Sequence, residues 1–239
     1  MRAAAYTGTR NVYEDMETAA KSLVANSNVE RVHFFIEDGE FPHELPDIVE
    51  THDVSAQRWF PSDGANSDTR WTYMTLLRTA LCYMLPDARV LSMDIDTICT
   101  DDVSGVFDID LSGSYFAATP EKWAQQRPGL YYCNVGVSLM NLDALRYGKA
   151  DEIIGVLNAH RFGWPDQDAL NYLCQGRIAH MPSCYNSCPW VIDDGSGEKI
   201  VHYAARNDYH KEPLWRKWRD TSWPEVLEMH EKLLESSRV

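Results

Sequence analysis

The chain has 239 residues, 44% apolar and 24% charged, the make-up of an ordinary globule long enough to bury a real core. Its net charge of -14 repels phosphate backbones and anionic lipid surfaces, which argues against nucleic acid and membranes as partners. No apolar run nears the roughly 18 residues that span a bilayer. The start lacks the apolar region of a secretion signal. The six cysteines contain no Cys-x-x-Cys pair, so they read as reduced, packed thiols of a cytoplasmic protein rather than zinc ligands.

In chain order, residues 3–7 form a short apolar strand broken by Gly8. Met16, Ala19, Ala20, Leu23 and Val24 recur at helical spacing over residues 14–25. Val32 to Ile36 is a second strand, stopped by Glu37-Asp38-Gly39. Strand, helix, strand is by default a right-handed unit that opens a nucleotide-binding sheet. The loop Thr7-Gly8-Thr9 then lies where a base or ribose would sit, or is a plain turn. A short strand is expected near residues 49–54. A helix is expected over 68–85, where Trp71, Met74, Leu77, Leu81 and Leu85 share a face. On that helix, spacing alone leaves Arg70 and Arg78 as solvated surface charges.

Pro86-Asp87 ends the helix and feeds an apolar run, Val90 to Met93, closed by Asp94-Ile95-Asp96. Apolar residues on both faces suggest a buried strand of a parallel sheet. In such a strand, residues two apart share a face, so Asp94 and Asp96 point the same way. Ligands of open α/β sheets sit beyond the strand carboxyl ends. Two acids there suit a hard cation, which in turn holds a diphosphate.

Strands are expected at 114–118, in the stretch from Leu130 through Leu142, at 178–181 and at 200–203, the last bearing His202. Leu145, Ile153, Ile154 and Leu157 mark helices between them. Pro165-Asp166-Gln167-Asp168 opens a helix through Leu173. Proline and acids at a helix start complement its dipole, which accounts for Asp166 and Asp168 without catalysis. An amphipathic helix closes the chain over 224–234.

Four pieces taken in order carry a resemblance. They are Asp94-Ile95-Asp96; Asn134-Val135-Gly136-Val137; Asp166-Gln167-Asp168-Ala169-Leu170-Asn171; and His202-Tyr203 followed by Lys211-Glu212-Pro213-Leu214-Trp215. Pro182 and Tyr185-Asn186 add a Leu-Pro-x-x-Tyr-Asn-like turn. The chain resembles glycosyltransferase family 8, the glycogenin-like and lipopolysaccharide galactosyltransferase-like group. The resemblance covers most of residues 1–215 and implies an α/β fold of the GT-A type. That fold is a Rossmann-like arrangement with a mixed, mainly parallel central sheet flanked by helices. Residues 1–215 would form this domain, and 216–239 a helical extension packed on it, with a homo-oligomer contact as its other use.

The resemblance also implies a retaining hexosyltransferase that uses a nucleotide sugar, usually a UDP-sugar, and Mn2+, with Mg2+ as the alternative ion. The acceptor would be a hydroxyl of a saccharide, protein or small molecule. Asp94, Asp96 and His202 would be the metal ligands. An imidazole beside two carboxylates suits Mn2+ better than ions that prefer all-oxygen shells. Thr7, Gly8, Thr9, Arg78, Asp94, Ile95, Asn134, Gly136, Asp166, Gln167 and Lys211 would bind the donor, with Lys211 at the diphosphate. Asp166 and Gln167 would flank the anomeric carbon as the catalytic pair.

The sequence departs from the family pattern in two places. The first loop lacks the usual acidic residue. The His-x-x-Gly-x-x-Lys-Pro-Trp motif has Ala205 in place of glycine, extra residues before Lys211, and interruptions at Glu212 and Leu214. Arg206 or His210 is the alternative to Lys211. Two rival readings remain from the residues. Asp94-Ile95-Asp96-Thr97 with Asp193-Asp194 matches a haloacid-dehalogenase-like Mg2+ phosphatase, although about ninety residues precede the motif. The other rival is a degenerate transferase that binds a nucleotide sugar without turning it over.

Overall fold

A computed structural model describes residues 1–37, 39–69, 71–127 and 129–236. Its first unit is β1 (Ala3–Gly8), α1 (Tyr13–Ala25) and β2 (Arg31–Ile36), with β1 and β2 parallel as the sequence pattern requires. Gly8 permits the sharp passage from β1 into α1. A Cβ there would lie 2.7 Å from Met16 Cε and 2.9 Å from Val12 Cγ2. β3 (Val49–Asp53) follows at the sheet edge.

The expected helix over 68–85 is broken into α2 (Thr72–Leu76), a 3-10 turn (Leu77–Ala80) and α3 (Leu81–Met84). Thr72 enters it with a left-handed φ of 59°. Leu85 is extended, the conformation that the following proline imposes. Arg70 lies outside the described residues. Arg78 sits in the 3-10 turn and is 3% exposed, so the surface-charge expectation for it is overturned.

β4 (Arg89–Met93) holds the whole apolar run but stops before Asp94, short of the strand expected through Asp96. A turn at Asp94–Asp96 leads to β5 (Thr97–Cys99). The two acids therefore stand on a turn beyond the strand, not on a strand face. Residues 104–108 make a 3-10 turn, and β6 (Phe116–Pro120) is displaced two residues from its expected place. The remaining elements are β7 (Cys133–Asn141), α4 (Leu142–Arg146), α5 (Lys149–Ala159), α6 (Pro165–Leu173), β8 (Ile178–His180), β9 (Ile200–His202), α7 (Pro213–Asp220) and α8 (Trp223–Ser236).

Seven strands form one sheet in the order β3-β2-β1-β4-β7-β6-β8. β3, β2, β1 and β4 are mutually parallel, β7 runs against both its neighbours, and β8 is parallel to β6. Because β7 is reversed, its amino end lies at the same rim as the carboxyl end of β4. A second, two-stranded sheet pairs β5 with β9, Thr97 opposite His202.

A core covers each face of the large sheet. Tyr6, Leu91 and Met93 pack with α1, Trp215, Trp218 and Val226 on one side. Phe35, Val90 and Met140 pack with Leu77, Leu81, Ile153 and Leu170 on the other. Full burial of Trp215, at 1% exposure, contributes roughly 2–3 kcal/mol and fastens α7 to the first core.

β7 is irregular where the site begins. Ser138 pairs with Ala118 and Asn134 with Thr119, so Val135 to Val137 bulge away from β6. The strand changes face there: Val135 enters one core and Val137 the other. Bulges of this kind re-aim side chains and backbone next to binding sites. The six cysteines are free thiols. Among the described residues, no helix is long and apolar enough to cross a membrane.

Candidate functional site

The Asp94–Asp96 turn is held from two sides. The Asp94 N–H donates to the Gly136 carbonyl at 2.6 Å, which ties the turn to the β7 bulge. The Tyr203 N–H donates to the Asp96 carbonyl at 2.9 Å, and β9 pairs with β5 immediately after the turn. This pairing brings His202 to acids that precede it by more than a hundred positions. Its Nε2 lies 3.3 Å from Asp96 Oδ1 and 3.7 Å from Asp94 Oδ2.

The protonation of that ring follows from its neighbours. The Gly136 N–H donates to Asn134 Oδ1 at 3.1 Å, so that oxygen is an acceptor. Asn186 therefore presents its Nδ2 to the same oxygen, 2.9 Å away, and its Oδ1 to His202 Nδ1 at 2.8 Å. An amide oxygen only accepts, so Nδ1 carries a hydrogen. In the neutral ring, Nε2 is then a bare lone pair facing two carboxylates. That atom is buried and has no hydrogen-bond partner. Burial opposes a charge on this ring, but Asp96, Cys188 and Asp94 together outweigh it and hold the imidazole's second proton well above the usual range. Burial likewise works against the charge of Asp96, and His202, a backbone hydrogen bond and Arg78 together outweigh it, so its carboxyl titrates below its usual range. The proton at Nε2 occupies the place that a cation's charge would fill. Two carboxylates and one imidazole, whose orphaned nitrogen is aimed between them, fit a divalent ion with mixed oxygen and nitrogen preference.

Arg78 braces the acids from below. Its guanidinium donates to Asp94 Oδ1 and to the Val135 carbonyl, and its Nε lies 3.1 Å from Asp166 Oδ2. Engaging Oδ1 leaves Asp94 Oδ2 turned toward His202. Asp166, at the start of α6, is 6% exposed, and burial lifts its carboxyl to about 6 against the pull of Arg78. The capping expectation separates the two helix-start acids. Asp168 accepts the Trp164 N–H at 3.0 Å and the Tyr132 hydroxyl at 2.6 Å, whereas Asp166 faces the arginine.

Gln167 stands beside the bulge. Its Oε1 accepts the Val135 N–H at 3.2 Å, and its Nε2 donates to Glu121 Oε1 at 3.1 Å and to the Tyr132 hydroxyl at 3.2 Å. Glu121 was not singled out from sequence, because a lone acid after a strand carries no pattern. Its Oε1 also accepts from Asn134 Nδ2 at 3.0 Å, and its Oε2 accepts from the Trp123 indole. One buried carboxylate thus orients both amides. In Glu121→Gln an amide N–H would confront groups that are themselves donors. Leaving such a donor unsatisfied costs about 1–3 kcal/mol. If that falls on turnover, kcat drops about tenfold to a hundredfold. Steady-state kinetics beside a thermal melt check this, and a variant with unchanged kcat would remove Glu121 from the positioning set.

Of the other expected residues, Thr7 and Gly8 lie at the carboxyl end of β1, parallel and adjacent to β4, and Thr9 follows them. The Thr9 hydroxyl donates to Asn11 Oδ1 at 2.5 Å. Ile95 is partly buried against the core. Lys211 is exposed, in a 3-10 turn over residues 209–211, and its ammonium pairs with no acid among the described residues. Its proposed substitutes are both engaged: Arg206 with Glu212 and Asp208, and His210 with Asp15 at 3.3 Å. Asp194 accepts from Ser183 at 2.7 Å and from the Ser196 N–H at 3.0 Å, fastening a loop rather than completing a phosphatase acid set.

Ala205, which stands where the family pattern has glycine, takes a left-handed φ of 62°, the region that favours glycine. That conformation costs an alanine about 1–2 kcal/mol. Ala205→Gly relieves it against the greater entropy of an unfolded glycine, for a net gain of about 0.5–1 kcal/mol. Chemical denaturation measures it, and a loss of stability would refute the strain.

A sequence-family model described as "Glycosyl transferase family 8" matches residues 5–207. The "Probable glycosyl transferase Gly" of Streptococcus gordonii is 25% identical over 227 residues, 86% of this chain and 32% of that protein. The chain thus spans about a third of that relative's length. Among solved structures, the glycosyltransferase GlyE of Streptococcus pneumoniae TIGR4 matches with a TM-score of 0.70 at 19% identity, covering 98% of this chain and 64% of that one. The galactosyltransferase LgtC, solved with donor and acceptor sugar analogs, matches with a TM-score of 0.68 at 19% identity, covering 95% of this chain and 99% of that one. The architecture is that of GT-A glycosyltransferases. With that match over most of its length, the chain belongs to glycosyl transferase family 8.

Proposed function

We propose that the chain is a metal-dependent, retaining hexosyltransferase that takes a UDP-sugar, UDP-glucose or UDP-galactose, and glycosylates a hydroxyl acceptor. The observation that carries this reading is the convergence of Asp94, Asp96 and the unpartnered Nε2 of His202 at the sheet rim, beside Gln167 and Asp166. Asp94 Oδ2, Asp96 Oδ1 and His202 Nε2 would hold Mn2+, or Mg2+ in its place. When bound, the ion supplies Lewis-acid stabilisation of the leaving diphosphate.

The protein's own groups supply position. Arg78 fixes Asp94 and Asp166, so the acids need no rearrangement when the donor arrives. Asn134 and Gln167 line the sugar pocket with amides already oriented by Glu121. Thr7, Gly8 and Thr9 receive the base and ribose, and Lys211, whose ammonium pairs with no acid among the described residues, is assigned to the diphosphate. The anomeric centre becomes oxocarbenium-like. The acceptor hydroxyl enters on the face that the leaving group vacates, and Gln167 covers the opposite face. Such pre-set orientation accounts for much of the acceleration in reactions of this type.

A thermal-shift panel of nucleotide sugars with and without Mn2+, followed by a UDP-release assay, tests the reading. The expected result is a midpoint raised by a UDP-hexose in the presence of Mn2+, with slow donor hydrolysis. Absence of stabilisation by every nucleotide sugar under either ion would overturn it. Stabilisation without any hydrolysis or transfer would identify the degenerate binder instead.

A further inference from the structure

A second group of potential ligands lies on the edge strand. The register pairs His33 with Glu50 and Phe35 with His52, so all four residues share one face of β2 and β3. His33 Nδ1 and His52 Nε2 are 2.9 Å apart. Glu50 Oε2 is 3.8 Å from the first nitrogen, and its Oε1 is 3.9 Å from the second. The three ligand atoms fall within 4.8 Å of one another. At that separation the two nitrogens share a hydrogen bond; on a tetrahedral ion bonded at roughly 2.0–2.1 Å they would stand about 3.3 Å apart, a small opening. The Glu50 side chain is half-exposed and free to close the small remaining gap.

The surroundings are those of a supported site. Phe35 stacks on the His52 ring, with centroids 4.8 Å apart and planes 20° from parallel, which fixes the ring's orientation. His33 is 3% exposed. Its second nitrogen, Nε2, is buried without a hydrogen bond and faces Asp87 Oδ2, likewise buried and unbonded, at 3.9 Å. A cation on Nδ1 would place the ring hydrogen on Nε2, opposite that acid. This is the carboxylate–imidazole–metal relay by which ligating histidines are held and made more basic.

We propose that His33, Glu50 and His52 bind Zn2+ or a similar first-row cation, which staples edge strand β3 to β2 and leaves an outer position open to water. Two imidazoles and one carboxylate favour such an ion over Mn2+, for which the oxygen-rich set at Asp94 is better suited. The site is independent of the transferase reading, since it lies on other strands and uses none of the same residues.

The test uses the 239-residue chain carrying Asp96→Asn, which lacks one proposed ligand of the rim cluster, stripped of metal with EDTA and dialysed. Titrated with Co2+, it is expected to bind one equivalent with visible ligand-field bands that Zn2+ displaces. Zn2+ at a hundredfold excess over its dissociation constant should raise the melting midpoint by about 5 °C or more. In the same background, His52→Gln should abolish both signals, and Glu50→Gln should weaken Co2+ binding at least tenfold. Glu50 is half-exposed, so its variant keeps the fold if His52→Gln does not. The proposal is overturned if the Asp96→Asn protein gives neither the bands nor the shift, or if Glu50→Gln binds Co2+ as tightly as its parent.

Discussion

Replacing Asp96 by asparagine is expected to lower metal-dependent turnover by on the order of a thousandfold, about 4 kcal/mol of lost transition-state stabilisation. The substitution keeps the shape of the side chain and removes its charge. Asp96 is the acid nearest to His202 Nε2, at 3.3 Å, and its carboxylate offsets the burial of that ring. The fold should survive. The backbone carbonyl of residue 96, which the Tyr203 N–H bonds, is untouched, and β5 and β9 pair through backbone groups. UDP release with saturating Mn2+, read beside circular dichroism, separates the two effects. A variant that turns over donor at the normal rate would sink the metal reading of the rim.

A second large effect is expected at Gly136. Its φ is ordinary, so any residue could adopt the backbone, and the constraint is one of space. A Cβ there would overlap the His202 ring and lie 2.9 Å from Asp94 Oδ2. Neither neighbour yields easily: the ring is anchored by Asn186, and Asp94 is gripped by Arg78. Overpacking of this kind costs about 1–3 kcal/mol of stability. The larger loss should be catalytic, at least a hundredfold in kcat/KM for the Gly136→Ala enzyme, because the methyl separates the imidazole from the acids. Gly155→Ala is the control. It lies within α5 with open space around its Cβ, and alanine there should stabilise by about 0.5–1 kcal/mol. Equal kinetics in the two variants would show that crowding at residue 136 does not reach the site.

Much of this site was visible in the residue order, for reasons that differ from place to place. The first strand–helix–strand unit follows from two short apolar runs flanking a stretch with a period of 3.6. The start of α6 follows from a proline and acids, and both appear where expected. The sequence pattern misjudged Asp94 and Asp96 as strand residues, because an apolar run does not say where hydrogen bonding stops. It also misjudged the helix over 68–85, whose apolar spacing is kept although the winding changes to 3-10 at Leu77–Ala80. Arg78 read as surface because a charge on a helix usually is; its burial depends on three partners, Asp94, Val135 and Asp166, distant in the chain. Glu121 and the β7 bulge were hidden for the same reason, being set by cross-strand register. The pairing of β5 with β9 is the sharpest case. Three residues on each side align, too few for any periodicity, yet they carry His202 to its place.

The order in which these parts are made has a consequence for synthesis. The large sheet gains its last strand by residue 180, whereas the imidazole comes at 202, on a separate ribbon that joins the acids afterwards. All seven strands of the large sheet thus precede the imidazole, while one face of that sheet still waits for Trp215, Trp218 and Val226. Under the proposed function, a product interrupted before β9 would carry the two acids without their imidazole and, lacking α7 and α8, would leave one core unfilled.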